Sequence, residues 1–170
     1  MNNLMQVGLA ARIFANERED KFPWQVPTKQ GGTLEFASTR DVFRHFQVLS
    51  NELPSPKVLV CFGDKDRRAA KNWTTDFKSN ERVSYFVGLD AMEGSRDWFL
   101  SGDRNLAGQT ILSKGVLQVS KNDWVAWTNG NHSTAGNIGI ADGSVVQMHR
   151  AALSNFIQSA DFTTNRLAIP

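Results

Sequence analysis

Asn137-Ile138-Gly139-Ile140-Ala141-Asp142-Gly143-Ser144-Val145-Val146-Gln147-Met148 reads as two short strands folded about an Asp-Gly turn. Asp-Gly between strand-forming residues is a strong signal for a two-residue hairpin, because both central positions of that turn favour positive φ. The stretch predicts an antiparallel pair, and the rest of the chain is read around it.

Upstream of the hairpin the pattern is also strand-like. Residues 57–62 form a short apolar run, residues 83–89 alternate around Tyr85 and Val87, and residues 98–101 and 115–119 are shorter strand signals. A brief helix is predicted over 68–77. Downstream, residues 151–159 predict a last helix, followed by a tail to Pro170. The first third reads differently. A helix is predicted over about residues 3–18, where Ala, Leu, Met, Arg and Glu favour helix and only Gly8 opposes it. Phe22-Pro23-Trp24 through Pro27 and Gly31-Gly32 read as loop. Ser38 or Thr39 then caps a second helix running to about Leu53, with Val42, Phe43, Phe46 and Leu49 on its apolar side and Pro54 and Pro56 ending it. Helices first and strands later predict an α+β fold in which an N-terminal α-helix packs on an antiparallel β-sheet, with additional short helices. No repeat or linker interrupts residues 1–170, so one domain is expected.

The first helix carries two apolar stripes. Leu4, Val7, Ala11 and Phe14 lie on one face, and Met5, Leu9 and Ile13 on another. A helix covering a single core needs only one apolar face. The second stripe therefore predicts an assembly face that meets other subunits.

Composition excludes several function classes. Of 170 residues, 41% are hydrophobic and 21% charged, and the net charge of +2 is spread without a basic stripe, which argues against nucleic-acid binding. The short cluster Lys65-Asp66-Arg67-Arg68 reads as a solvated loop. The apolar opening, residues 4–15, contains Gln6 and Arg12 and is too short to span a bilayer; no basic leader precedes it. The one cysteine, Cys61, lies in Val58-Leu59-Val60-Cys61-Phe62, which reads as a buried strand where a thiol packs as a small hydrophobe.

Chemistry-bearing motifs are few. His45, His132 and His149 show no metal-ligand spacing such as H-x-x-x-H. Ser101-Gly102-Asp103-Arg104-Asn105 reads as a polar loop held by side-chain-to-backbone bonds, and Asp103 with Asn105 echoes part of a calcium loop whose later ligands are missing. No nucleophile elbow, phosphate-binding glycine loop or dinucleotide fingerprint occurs. Trp124 and Trp127 are three apart, which in a strand sends them to opposite faces and prevents one flat sugar-binding platform.

Two stretches resemble a known family. Asn2-Asn3-Leu4-Met5-Gln6-Val7-Gly8-Leu9-Ala10, with Phe14-Ala15-Asn16 and Lys21-Phe22-Pro23, resembles the region that follows the membrane helix in bacterial pilin-like proteins of the prepilin-type cleavage and methylation family. His132 through Val145 looks like their His-x9-Asp-Gly motif, with His132, Asn137, Asp142 and Gly143 in register. The resemblance implies a pilin-like or type II secretion pseudopilin-like structural protein. Its periplasmic or extracellular head would be anchored in the inner membrane by a helix upstream of Leu4 and would polymerise with other pilin or pseudopilin subunits. It implies no enzymatic activity and no cofactor. Some relatives carry a cysteine just before the Asn-Asn-Leu stretch, which would give Cys61 a partner. Two other readings stand beside this one: an extracytoplasmic glycan- or calcium-binding module, with calcium at Asp103 and Asn105, and a hydrolase using His132 with Asp103 or Asp142.

Overall fold

The computed structural model describes residues 1–112, 115–129, 132 and 134–170. It is a mixed α+β fold: an N-terminal helix, a seven-stranded antiparallel sheet and a second, two-stranded sheet. The helices are α1 (Asn2–Asn16), α2 (Phe43–Gln47) and α3 (Arg150–Ser159). The strands are β1 (Tyr85–Gly88), β2 (Phe99–Asp103), β3 (Leu106–Gly108), β4 (Thr110–Leu112), β5 (Val116–Ser120), β6 (Val125–Trp127), β7 (Ala135–Ile140), β8 (Val145–His149) and β9 (Thr164–Ala168). The large sheet runs β4-β5-β9-β1-β2-β7-β8, and β3 pairs with β6.

Period-2 alternation divides the core between the sheet's two faces. Tyr85, Val87 and Leu100 point toward α1, whose Leu4, Val7, Ala11 and Phe14 are buried against them and against Trp24, Phe46 and Leu59. Phe86, Phe99, Leu117, Val119, Ile138 and Leu167 point the other way, onto Leu153 and Ile157 of α3 and onto Trp127. The second stripe of α1 stays in solvent: Met5, Leu9 and Ile13 are 52%, 59% and 40% exposed. Among the described residues, no helix is long and apolar enough to cross a membrane.

Several elements depart from the sequence-based expectation. The β7–β8 connection is not a two-residue turn. Ile140 N–H donates to the Ser144 carbonyl at 2.8 Å, and Gly143 N–H donates to the Ile140 carbonyl at 2.9 Å, so Ala141, Asp142 and Gly143 make a three-residue loop. Only Gly143 has positive φ, +96°, as in a type I turn followed by a left-handed glycine. The second helix shrinks to the five residues of α2, because i→i+3 bonds such as Leu49 N–H to the Phe46 carbonyl take over beyond it. Val42, Phe43, Phe46 and Leu49 are nonetheless buried.

Residues 57–62 are not a strand. Ser55 caps Lys57 N–H at 3.3 Å, Pro56 starts a 3-10 turn, and Phe62 ends up 92% exposed. No helix forms over 68–77, where the Asn72 side chain collects the N–H groups of Thr74, Thr75 and Asp76 into a turn. Most of the polar segment 101–105 is strand, since β2 runs through Asp103 and is buried throughout, and Arg104 and Asn105 alone connect it to β3. Finally, the C-terminal tail forms β9, paired on both sides with β1 and β5.

Candidate functional site

Three elements converge at the end of β2 nearest the start of α1. Asp103 closes β2, fully buried. One of its oxygens, Oδ2, accepts from Asn137 N–H at 2.7 Å and from Asn137 Nδ2 at 2.9 Å, so β7 fixes the carboxylate. Its other oxygen, Oδ1, has no partner among the described residues. Gly102 makes this approach feasible, because a Cβ there would meet the Asn137 carbonyl at 2.9 Å and the Phe86 ring at 2.6 Å.

Cys61 arrives on the loop after the 3-10 turn Pro56–Leu59. Arg104, next to Asp103, clamps that loop with Nε to Asp64 Oδ2 at 2.7 Å, Nη2 to Asp64 Oδ1 at 2.9 Å and Nη2 to Asp66 at 3.0 Å. Asn3 of α1 adds a bond from Nδ2 to the Val60 carbonyl at 3.1 Å. His132 completes the group: its Nε2 lies 3.2 Å from Cys61 Sγ and 3.5 Å from Asp103 Oδ2. The thiol sulfur, the imidazole nitrogen and a carboxylate oxygen all fall within 4.8 Å of one another. Cys61 and His132 line a cavity of about 510 Å3, shared with Asn2, Asn3 and Tyr85.

Burial raises the Cys61 thiol above its ordinary pKa, with Asp103 adding to the effect and hydrogen bonds from Gly63 and Asp64 opposing it. Burial likewise raises the Asp103 carboxyl, against the pull of the Asn137 bonds and of His132. A proton relay uses the two imidazole nitrogens separately, one toward the nucleophile and one toward the orienting acid. Here Sγ and Oδ2 converge on the same nitrogen, Nε2, which is the disposition of ligands around a common point.

Of the residues singled out from sequence, the structure joins His132, Asp103 and Asn137. Asp142 and Gly143 sit apart from them, at the hairpin turn, where Asp142 Oδ1 accepts from Ser144 N–H at 2.8 Å. Asn105 is engaged elsewhere, with Nδ2 donating to the Thr128 carbonyl at 3.1 Å. Met5, Leu9 and Ile13 lie on the solvent face of α1. The other histidines have local tasks. His149 Nδ1 accepts from Ala152 N–H and caps α3, and His45 is buried with Nδ1 2.8 Å from Thr33 Oγ1. Trp127 is buried and Trp124 half-exposed, so the two rings form no shared platform. Cys61 was missed as a member of the group because 71 residues separate it from His132, and no local spacing links them.

No protein-family model, curated protein or solved structure matches this chain.

Proposed function

We propose that this chain is the extracytoplasmic head of a pilin-like or pseudopilin-like filament subunit, anchored to the inner membrane through a helix preceding α1. Helix α1 carries the proposal: one face is committed to the sheet, while Met1, Met5, Leu9 and Ile13 form an unbroken i, i+4 apolar ridge in solvent. From Met1 to Ile13 the ridge is about 18 Å long. These four side chains offer roughly 400 Å2 on one subunit, about half of the 800 Å2 or so per partner that a standard specific interface buries. The ridge therefore suits α1 helices of neighbouring subunits held together in a polymer, where tethering raises the effective concentration. The His-x9-Asp-Gly resemblance supports the same reading, with His132 and Asp142 bracketing β7.

The test is cross-linking in the producing cell. Leu9→Cys in the full-length protein should give disulfide-linked multimers in the membrane or filament fraction, whereas a cysteine at exposed Trp124 should not. Equal cross-linking from both positions, or none from Leu9→Cys in cells that assemble filaments, removes α1 from the subunit contact and overturns the proposal.

A further inference from the structure

We propose that Cys61, His132 and Asp103 form a three-ligand site for a zinc-type divalent cation, with the adjoining cavity supplying the fourth position. The donor set is one sulfur, one imidazole nitrogen and one carboxylate oxygen, which suits zinc and other borderline-soft ions. Calcium would take six to eight oxygens, and this site offers a single carboxylate.

The distances fit. Usual Zn–S, Zn–N and Zn–O lengths in a tetrahedron give ligand-to-ligand edges of about 3.6 Å for S···N and about 3.3 Å for N···O. The corresponding separations are 3.2 Å from Cys61 Sγ to His132 Nε2 and 3.5 Å from His132 Nε2 to Asp103 Oδ2. The Sγ-to-carboxylate edge lies within 4.8 Å, against about 3.6 Å in such a tetrahedron, so an ion enters with shifts of a few tenths of an ångström on the first two edges and up to about 1 Å on the third.

Two further observations point the same way. The Asp103 carboxylate is fully buried with Oδ1 lacking a partner among the described residues, so its negative charge is under-compensated, and a cation on Oδ2 offsets that charge. Two of the three ligands are also held from behind: Asp103 by the Asn137 amide and side chain, and the Cys61 loop by the Asp64–Arg104 clamp three residues on. Outer partners of this sort orient metal ligands. When the ion binds, a Zn–S bond forms, the Cys61 thiol proton leaves to solvent, and the thiolate and carboxylate together balance the two positive charges. Since Cys61 and His132 line the cavity, the remaining tetrahedral position takes a water or a small donor from it.

The protein is stripped with a chelator and titrated with Zn2+, Co2+ and Ca2+. One equivalent of zinc should bind, protect Cys61 from a maleimide and raise the Tm. Cobalt should give a thiolate-to-metal charge-transfer band in the near ultraviolet, and calcium should do none of these. Cys61→Ser should lose the cobalt band, and His132→Ala should lose zinc protection of the thiol, each while keeping the metal-free circular dichroism. Because Cys61 is the one cysteine in the 170 residues, thiol protection in the unmutated chain reads this site even where a variant fails to fold. Unprotected Cys61 at saturating zinc, or a cobalt band that survives in Cys61→Ser, overturns the proposal.

Discussion

Arg12, on the solvent-side shoulder of α1, donates from Nη1 to the Asp142 carbonyl at 3.1 Å and so fastens the helix to the turn of the β7–β8 hairpin. Its Nε donates to Glu93 at 2.7 Å, which holds the guanidinium across the turn. The same Nη1 would lie 2.6 Å from a Cβ placed on Gly143. Helix position and turn conformation are therefore linked through one side chain.

That linkage sets the cost of altering the turn. Gly143→Val forces a β-branched residue to φ +96° and displaces Arg12. The loss should be about 2 kcal/mol, combining a backbone penalty and a forfeited hydrogen bond of about 1 kcal/mol each. Arg12→Ala alone should cost about 1 kcal/mol. Denaturant unfolding of both single variants and the double variant should show less than additive losses. Full additivity would mean that Arg12 does not respond to the turn.

The Asp64–Arg104 pair supports the Cys61 loop and should make it acid-sensitive. Burial pushes the Asp64 carboxyl up, but its hydrogen bonds and charge pairing with Arg104 outweigh this and hold it below the usual carboxylate range. A depressed folded pKa contributes stability that is present above the unfolded value and lost as pH falls through the folded one. Asp64→Asn should lower stability at neutral pH by about 2 kcal/mol, the worth of hydrogen bonds to a charged group. The gap to the unmutated chain should narrow below about pH 4. A gap constant down to acid unfolding would contradict the pairing.

His45 acts in the same direction as Asp64 but at higher pH. Burial lowers its pKa to about 4, so the folded state keeps it neutral while the unfolded chain binds a proton near 6.5. Between these values the unfolded state holds more protons, and stability falls as pH falls. At about pH 5 the loss relative to neutral should be about 2 kcal/mol. His45→Gln should be less stable at pH 7 but nearly flat across that window. A Tm profile of His45→Gln parallel to that of the unmutated chain would show that another group carries the effect.

The parts of this fold legible in the sequence are those where one local signal acts alone. Asp142-Gly143 marked a reversal, and helical spacing of Leu4, Val7, Ala11 and Phe14 marked the buried face of α1. Even there, the exact loop was misjudged, because Ile140 pairs with Ser144 and leaves three residues to turn. β9 was invisible for a tertiary reason. Thr164-Asn165-Arg166-Leu167-Ala168 has little strand propensity of its own and is formed by backbone pairing to β1 and β5 on either side. The run 57–62 misled because periodicity cannot separate a strand from a proline-initiated 3-10 turn over so few residues. In the site, Asp103 and His132 drew attention as residue types, but their convergence with Cys61 depends on sheet pairing that no local pattern encodes.

The two faces of α1 should separate stability from assembly. Leu4 and Phe14 are buried against the sheet side, so Leu4→Ser or Phe14→Ser should cost about 2–5 kcal/mol, as core truncations do. Met5, Leu9 and Ile13 are 40% or more exposed, so replacing each with Ser should change stability by no more than about 0.5 kcal/mol. In a filament those same side chains would become buried, each contributing roughly 1 kcal/mol for the half of its surface now in water. Summed over three residues and repeated at every subunit, the triple Ser variant should fold with an almost unchanged Tm yet fail to assemble. Thermal unfolding of the isolated chain and filament yield from cells producing the full-length protein provide the two measurements. A triple variant that melts far below the unmutated chain would assign the ridge to folding, and one that assembles normally would leave it without a role in the filament.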